Sequence, residues 1–424
     1  MTNLDARTES LRLLAGISNG QGLDLGAHRA VHGSLSIPAR KRSDEWRSVM
    51  LDRIATAQLT GRGGGGFPTA IKLTTARSSR RRPVMVINMM EGEPAAQKDS
   101  VLGCFAPHLV LDGAETLAAI VDAVSVTIAI ARDNPAAIAS MEAAVAERAR
   151  AGENRLDVSI VTPPARYVGG EESALVSWLD GNDARPTFRS SKPAEIKIKS
   201  RPAVVDNAET AAQIAILARM ERPIPAPLTT LTSISGAVLD PGVYEVPLES
   251  PLRAVISRAG LERTPAAILL GGFGGTFVGP EALDAPYSPD GLRPFGGSVG
   301  AGVIVVFGED ACGVQALAQL TRWMSHESAG QCGPCVFGLP SIADDLEELV
   351  RNRGSAATLE RIGARCDLVV GRGACAHPDG VARMVTSGLR AFAADAHRHA
   401  SRQPCRGTAT HLELPRQDQP LEWR

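Results

Sequence analysis

The sequence predicts an α/β fold with a parallel sheet, followed by a small α+β module and a helical C-terminal part. In the first half, short apolar runs rich in β-branched residues alternate with longer segments of helical periodicity. Strands that alternate with helices favour a parallel sheet with helices on its faces. The second half changes character, with a hairpin pattern, a Gly- and Pro-rich stretch and helical periodicity from Ala311 onward.

The predicted elements of the first half follow in a regular order. They are a helix over 44–59, a helix after Pro68, a strand over 83–88, a helix over 109–124, a strand over 124–130, a helix over 134–150, a strand over 156–161, a helix that opens within 167–175, an exposed polar loop over 187–200, and a helix that starts within 202–210 and runs to Arg219.

The second half begins after a Pro-rich joint at 223–227, which is a candidate domain boundary. An Asp-Pro-Gly turn at 240–242 joins two alternating strands within 232–246. The remaining predicted elements are a helix over 251–259, a strand over 267–270, an irregular stretch over 271–302, a strand over 303–307 and helices to Arg402. The predicted division is an N-terminal surface segment (1–45), an α/β domain (46–225), a small module with its connector (226–310), a helical domain (311–400) and a loose tail (401–424).

Composition excludes several classes of function. The 424 residues carry a net charge of −1, so no global field attracts nucleic acid or acidic lipid. No apolar stretch reaches the roughly 20 residues of a membrane helix, and the N-terminus does not have the pattern of a signal peptide. The seven cysteines are odd in number and clustered, which favours a metal site in a cytoplasmic protein over a disulfide scaffold.

The most informative stretch is the glycine loop, residues 61–72, in which five of the first six residues are glycine. Such a run can bring bare backbone close to a flat or anionic ligand. Pro68 is a suitable helix start, so the pattern predicts a nucleotide site at a helix N-terminus. The alternative is a flexible linker, and the spacing differs from the common dinucleotide fingerprint.

Two further segments carry acids at predicted element ends. Asn88, Glu91 and Glu93 follow a buried strand, where open α/β sheets bind ligands. Glu171 and Glu172 open a helix, where acids also interact favourably with the helix dipole.

A third segment contains Cys332 and Cys335 in a Cys-x-x-Cys pair, with Cys375 forty residues further on. From the residues alone, an edge of an iron–sulfur cluster, a redox dithiol and a zinc site all remain open.

Together, these segments resemble one family. Residues 61–70 are similar to the Gly-Arg-Gly-Gly-Ala-Gly-Phe-Pro-Thr-Gly motif of the NADH-binding flavoprotein subunit of respiratory complex I. Relatives of that subunit occur in NAD-dependent formate dehydrogenases and hydrogenases. The other similar segments are 88–94, 167–175, 202–210, the hairpin at 236–244 and 325–338, in the family's order.

The resemblance implies a Rossmann-like FMN-binding domain, a β-grasp (ubiquitin-like) insert and a C-terminal helical bundle that holds a [4Fe–4S] cluster. It also implies that electrons pass from NADH or NADPH through FMN and the cluster to a ferredoxin-like, thioredoxin-like or quinone-linked partner. A flavin suits this task because it connects two-electron with one-electron chemistry. A separate iron–sulfur subunit and a cytoplasmic location, in some cases peripheral to a membrane complex, are expected.

Site residues follow from the same resemblance. Glu93 and Glu172 are the implied catalytic residues, and Glu93 and Phe67 are implied to touch the dinucleotide. The implied cluster ligands are Cys332, Cys335 and Cys375. The implied cofactor-binding residues are Gly61, Arg62, Gly63, Gly64, Phe67, Lys72, Asn88, Glu91, Tyr167, Gly170, Glu171, Glu172, Asp206, Asn207 and Thr210.

Several positions depart from the family. The first cluster cysteine falls on Ala329, which cannot coordinate iron. Three thiolates could hold a [3Fe–4S] cluster, or a [4Fe–4S] cluster completed by water, Ser328 or His326; the other interpretation is that the cluster is lost. Met90 replaces a family aspartate, and Asp206 replaces an asparagine.

The aromatic positions also differ. Phe67 keeps one ring that would stack on adenine, while the other ring positions fall on Thr75 and Lys192. Each lost ring removes on the order of 1 kcal/mol of stacking. A cation at Lys192 would suit the extra phosphate of NADPH.

The sequence therefore leaves three possible functions open. The first is a diverged FMN and iron–sulfur oxidoreductase. The second is a degenerate flavin- or nucleotide-binding scaffold or regulatory subunit, which Met90, Ala329 and Lys192 favour. The third is a zinc-binding structural protein.

Overall fold

The computed structural model describes residues 12–17, 20–40, 43–188, 196–220, 228–403, 405, 407, 410–415 and 422–424. These residues form two five-stranded sheets and a C-terminal group of helices. The predicted joint at 223–227 and much of the predicted polar loop, including Lys192, lie outside the described residues.

The first sheet alternates strands with helices, as the sequence predicts. Its elements are α1 (Leu25–His32), α2 (Asp44–Thr56), α3 (Thr69–Arg77), β1 (Val84–Met89), α4 (Lys98–Phe105), α5 (Pro107–Ile120), β2 (Val126–Ile130), α6 (Pro135–Arg150), β3 (Val158–Val161), α7 (Glu172–Leu179), β4 (Lys197–Ile198), β5 (Arg201–Asn207) and α8 (Ala208–Arg219).

The strand order is β3-β2-β1-β5-β4, with β1 in the centre. All pairs are parallel except β4 with β5. The register pairs Asn88 on β1 with Asn207 on β5, so both side chains stand at the carboxyl edge of the sheet. The predicted parallel α/β architecture is confirmed.

Four elements of this half were not predicted, and one of them is the short strand β4, which lies within the predicted polar loop. Strand β5 occupies positions where a helix start was expected, because Val204 and Val205 extend the backbone and the helix begins only after Asn207. Asn207 caps that helix by accepting from the backbone N–H of Glu209. Helices α1 and α4 have only eight residues each, which is too short for helical periodicity to stand out in the sequence.

Helix α5 lies directly against α8, and glycine makes this approach possible. A Cβ added at Gly113 would lie 1.8 Å from the carbonyl oxygen of Ala211. The two helix backbones therefore touch on one face of the sheet, within the main apolar core.

The second sheet is the β-grasp module that the resemblance implies. Its elements are β6 (Thr229–Gly236), β7 (Gly242–Pro247), α9 (Leu252–Ser257), β8 (Ala267–Leu270), β9 (Thr276–Val278), α10 (Pro289–Leu292) and β10 (Val303–Phe307). The order is β7-β6-β10-β8-β9, and β10 runs parallel to β6 and antiparallel to β8. Strand β9 lies in the stretch that was expected to be irregular, where three buried residues complete the sheet edge.

The C-terminal helices pack around a second apolar core. They are α11 (Gly313–His326), α12 (Leu339–Val350), α13 (Ala356–Val369), α14 (His377–Ala391) and α15 (Ala393–Ala400). None of the helices within the described ranges has both the length and the apolar character needed to span a bilayer.

The tail was predicted to be loose, but its described residues pack against the protein. The indole N–H of Trp323 donates to the carbonyl of Pro415 at 3.3 Å. Near the end of the chain, the carbonyl of Trp423 accepts from the backbone N–H of Ala184 at 2.8 Å, and the Trp423 ring is buried. Aromatic burial explains why this polar segment is held.

The close contact between α5 and α8 gives a test of the packing. Gly113→Ala is expected to lower the free energy of unfolding by at least about 2 kcal/mol, because the new methyl group overlaps the Ala211 carbonyl. Gly363→Ala is the matched control, since Gly363 lies in α13 with open space around it, and there alanine should stabilise by about 0.5–1 kcal/mol. Chemical denaturation of both variants measures the difference; equal stability of the two would contradict the packing described.

Candidate functional site

The glycine loop is closed at its base by backbone hydrogen bonds. The N–H of Gly61 donates to the carbonyl of Phe67 at 2.9 Å, and Thr69 N–H donates to the carbonyl of Leu59 at 3.0 Å. Gly64 and Gly66 have φ of +97° and +60°, which side-chain-bearing residues rarely adopt. The loop therefore presents exposed backbone without side chains over residues 63–66.

An exposed apolar face continues from the loop into α3. Phe67 is 52% exposed and Ile71, one helical turn later, is 55% exposed. Thr75, where the family places a second ring, is also exposed, and its hydroxyl donates to the carbonyl of Ile71. This face keeps one aromatic ring beside the bare loop.

The loop stands over the carboxyl edge of the first sheet. A Cβ at Gly63 would lie 3.4 Å from the Cβ of Asn207, and one at Gly64 would lie 3.9 Å from the backbone nitrogen of Ala301. The loop, β5 and the segment before β10 thus meet at one place.

Asn88 on β1 and Asn207 on β5 form hydrogen bonds at the sheet edge next to the glycine loop. Asn88 Nδ2 donates to the carbonyl of Gly170 at 2.8 Å. Asn207 Nδ2 donates to Asp99 Oδ2 at 2.6 Å, and its Oδ1 caps α8. The structure therefore brings Asn88, Gly170 and Asn207 together, and their contact with FMN stays a prediction.

Lys98 was not singled out from the sequence, yet it lies buried at the centre of this site. Its Nζ lies 2.8 Å from Asp99 Oδ1, 3.2 Å from Glu209 Oε2 and 3.1 Å from Asn207 Oδ1. Burial alone would lower the pKa of Lys98, but the carboxylates of Asp99, Glu209 and Glu91 outweigh it and raise that pKa. The sequence feature that could have indicated Lys98 is the Lys98-Asp99 pair, which comes a few residues after Glu91 and Glu93.

Arg62 and Thr210 hold the loop rather than project from it. The backbone N–H of Arg62 donates to Thr210 Oγ1 at 3.0 Å. The Arg62 guanidinium is buried, with Nε 3.9 Å from Glu209 Oε1. Glu209 also accepts from Thr230 Oγ1 at 2.8 Å and from Leu231 N–H at 3.0 Å. Through Glu209, the loop and the β-grasp sheet share one buried carboxylate.

Lys72 reaches back to the sheet. Its Nζ donates to the carbonyl of Val205 at 2.6 Å and lies 3.4 Å from Asp206 Oδ1. Burial raises the pKa of Asp206, and Lys72 opposes that rise. Glu172 is a second carboxylate near Lys72 and is partly exposed. Its Oε1 lies 3.8 Å from Lys72 Nζ.

Glu91 and Glu171 serve as helix caps. Glu91 accepts from the backbone N–H groups of Asp99 and Ser100, both at 2.9 Å. Glu171 accepts from the N–H groups of Ser173 and Ala174 at the start of α7. Burial and then the charge of Asp99 raise the pKa of Glu91. Contact of these two carboxylates with FMN stays a prediction.

Glu93 lies where the strand end meets the β-grasp module. Its Oε2 accepts from Phe273 N–H at 2.8 Å, and its carboxylate also hydrogen-bonds to the hydroxyl of Tyr167. Burial raises the pKa of Glu93 to about 7. Burial, followed by Glu93, raises the pKa of Tyr167 well above its ordinary value.

The Tyr167 ring connects this region to the helical bundle. It packs edge to face against Trp323 and His377, with ring centroids 5.7 and 5.5 Å apart. His377 Nε2 lies 2.9 Å from the carbonyl oxygen of Met324, and burial lowers its pKa to about 4. The imidazole is therefore neutral near pH 7, directly after the Cys375 segment.

The three predicted cluster cysteines come together in the bundle. Burial raises the pKa of the Cys335 thiol, and the neighbouring thiols of Cys332 and Cys375 raise it further. The hydroxyl of Ser328 hydrogen-bonds to Cys335. Of the two side chains considered as a fourth ligand, Ser328 is thus beside the thiols, whereas His326 is exposed at the end of α11.

Ala329, where the family has its first cysteine, is covered by the C-terminal tail. It packs with Val168 and Trp423 in a small apolar cluster. Arg166 and Arg185 place their guanidinium groups 5.5 and 4.7 Å from the centroid of the Trp423 ring. Trp423 was missed because nothing local in the sequence relates it to Ala329.

A cavity of about 700 Å³ opens beside the cysteine segments. Its lining includes Gln331 and Ala374, which precede Cys332 and Cys375, together with Arg185 and Phe188. This cavity thus adjoins the cysteine segments, and no residue of the glycine loop lines it.

A glycine loop on a parallel sheet, a β-grasp module and a bundle with grouped cysteines together define a flavin-linked electron-transfer class of protein. The family model of the Nuo51 FMN-binding domain matches residues 54–216. The model of the NADH-ubiquinone oxidoreductase-F iron–sulfur binding region matches residues 315–399. The chain belongs to the family formed by the F components of NADH-quinone oxidoreductases.

Two individual relatives support this family assignment. The chain is 30% identical over 331 residues to the F component of the NADH-quinone oxidoreductase of Aquifex aeolicus, covering 72% of this chain and 75% of the relative. It is 27% identical over 377 residues to the F 2 component of the NADH-quinone oxidoreductase of Rhizobium meliloti, covering 84% and 90%. These matches confirm the predicted family and the predicted cofactor classes, FMN and an iron–sulfur cluster.

A solved structure is also similar. A chain of the NAD+-reducing [NiFe]-hydrogenase in the H2-reduced state superposes with a TM-score of 0.73 at 26% identity. The match covers 84% of this chain but only 63% of the hydrogenase chain.

The raised pKa of Glu93 makes a prediction about stability. Its pKa rises from 4.5 to about 7 on folding, so the native state binds the extra proton and stability falls as pH rises through that window. Glu93→Gln should remove this part of the pH dependence, up to roughly 3 kcal/mol between pH about 4.5 and 7. Denaturant unfolding at several pH values measures it, with the exposed Glu262→Gln as control. An unchanged slope in Glu93→Gln would contradict the assignment.

Proposed function

We propose that the chain is an FMN- and iron–sulfur-dependent oxidoreductase that passes electrons between a pyridine nucleotide and an iron–sulfur partner. The observation that carries this proposal is the bare loop at 63–66, which stands over Asn207 and beside the half-exposed Phe67.

The residues fit a flat cofactor. Gly64 and Gly66 adopt glycine conformations, and no side chain fills the space above residues 65 and 66. We assign binding to the loop backbone at residues 63–66, with Asn88, Lys98 and Asn207 at the floor. When bound, FMN takes a hydride from a nicotinamide and gives up electrons one at a time. Phe67 offers its ring to the dinucleotide.

The floor contributes electrostatics. The protonated Lys98 holds the carboxylates of Asp99 and Glu209 and keeps the buried site near charge balance. A fixed, desolvated charge of this kind needs no reorganisation when electrons move nearby.

The cysteine group fits a cluster with fewer protein thiolates than usual. Cys332, Cys335 and Cys375 would hold it, with the Ser328 hydroxyl as the oxygen donor at the remaining position. A bound cluster carries single electrons. The Tyr167 ring packs against His377, which follows Cys375 by two residues, and the Tyr167 hydroxyl hydrogen-bonds to Glu93, so one ring contacts both the acids of the flavin side and the helix beside Cys375.

Exposed apolar side chains near the cysteines support a protein partner. Phe337 is 73% exposed, Leu368 56% and Val370 52%, and Val336 is also exposed. Exposed apolar groups that lie close together mark interaction sites. We assign this patch to a ferredoxin-like or thioredoxin-like iron–sulfur subunit, on the cytoplasmic side and peripheral to any membrane complex.

A second candidate function is a flavin-binding scaffold without cluster chemistry. The observation that favours it is the burial of Ala329 under Trp423, together with the buried Met90 where the family has an aspartate. Such a scaffold would bind FMN and contain no cluster iron.

The first test of catalysis is anaerobic reduction. The purified chain reconstituted with FMN should be bleached by NADH, and Phe67→Ala should raise the NADH concentration for half-maximal rate about fivefold, for roughly 1 kcal/mol of lost stacking. Phe188→Ala removes another exposed ring, at the 700 Å³ cavity, and should leave this concentration unchanged. The same titration with NADPH identifies the preferred nucleotide. Flavin that binds but is bleached by neither nucleotide would support the scaffold instead.

The fourth cluster position has its own test. Ser328→Ala should reduce the iron retained per chain several-fold, because an oxygen ligand beside Cys335 is removed. Ser325→Ala, also buried at the end of α11, is the control. Iron and sulfide analysis of anaerobically purified protein decides, and equal iron in both variants would rule out Ser328 as a ligand.

A further inference from the structure

A second group of metal-ligating side chains lies away from the three cluster cysteines. It consists of Cys312, His399 and Cys405, whose ligand atoms all lie within 4.8 Å of one another. Among the described residues, no other three His, Cys or acidic groups come together so closely. The three come from the N-cap of α11, the last turn of α15 and the tail.

The imidazole of His399 is oriented as a metal ligand would be. Its Nδ1 lies 3.0 Å from the carbonyl oxygen of Leu349, and a carbonyl only accepts, so Nδ1 carries the proton. Nε2 is then the unprotonated nitrogen, and it lies 3.4 Å from Cys312 Sγ. A backbone carbonyl on the far nitrogen is the usual support of a metal-bound histidine.

The surroundings favour an ion over two free thiols. Cys312 and His399 are buried, and Cys405 is half-buried. A divalent cation would deprotonate both thiols, and two thiolates with one neutral imidazole would leave the buried site uncharged.

We propose that Cys312, His399 and Cys405 bind one zinc-class divalent ion, with water as the fourth ligand. Two thiolates and an imidazole are the donors that zinc prefers, at bond lengths that a small closing of this group would reach. A disulfide between Cys312 and Cys405 would not account for the unprotonated Nε2 of His399, which faces Cys312 Sγ.

The ion would fasten the tail to the bundle. Around Cys405 the tail follows the start of α11, where a Cβ at Gly407 would lie 2.1 Å from the carbonyl oxygen of Ala311. Further on, His411 Nε2 lies 2.9 Å from Asp310 Oδ1. One ion would thus join the first and last helices of the bundle and the chain segment that leads toward Trp423.

The test measures zinc in the full chain. A Cys332→Ser/Cys335→Ser background removes the other thiol pair, and after anaerobic purification it should contain about one zinc per chain. Adding Cys405→Ser or His399→Ala should lower zinc at least fivefold. Cys366→Ser, a buried thiol in the same bundle, should keep it. Because Cys405 is only half-buried, its variant is not expected to disturb the core.

Cobalt gives an independent readout. Co2+ in place of zinc should produce thiolate-to-cobalt absorption that falls at least fivefold in Cys405→Ser, since this variant loses both a thiolate and most of its bound metal. Zinc at background in protein dialysed against zinc, zinc unaffected by Cys405→Ser, or a Cys312–Cys405 disulfide in anaerobic peptide maps would each overturn the proposal.

Discussion

The structure depends on one buried carboxylate, Glu209, whose side chain is almost fully removed from solvent. It accepts from Thr230 and Leu231 of the β-grasp sheet and lies within ion-pair distance of Lys98 and Arg62. An unpaired carboxylate at this depth would be very unfavourable, so these partners are fixed together. The glycine loop, the carboxyl edge of the parallel sheet and the second sheet are consequently held around one point, and that point is the floor of the candidate flavin site.

Much of this was predictable because it is local. Strand β1 is an apolar β-branched run, the loop is a run of glycines, and the cysteine spacing is short. The parts that were missed depend on contacts between distant segments. Lys98 acquires its importance only from Glu209 and Asn207, which the fold brings to it. Trp423 packs against Ala329, which lies 94 residues earlier in the chain, and no local sequence pattern indicates such a pairing.

The two halves of the candidate site have diverged to different degrees. The flavin side keeps its bare loop, Asn88, Asn207 and one exposed ring, although Met90 and Asp206 depart from the family pattern. The cluster side has lost a cysteine, and the C-terminal tail has filled the place with an aromatic ring. If the Cys312, His399 and Cys405 site holds an ion, the tail is anchored at two places, which is consistent with a role in shielding the altered cluster position.

The bare backbone of the glycine loop is the proposed flavin site. The most direct measurement is a fluorescence titration of the full chain with FMN, comparing Gly64→Val with Gly152→Val. Both glycines have positive φ, but Gly152 lies in the turn after α6, away from the loop. The wild type and Gly152→Val should bind about one FMN each, and Gly64→Val should bind at least about tenfold more weakly, a loss of roughly 1.4 kcal/mol. Equal FMN affinity in all three proteins, or no binding by the wild type, would contradict the account.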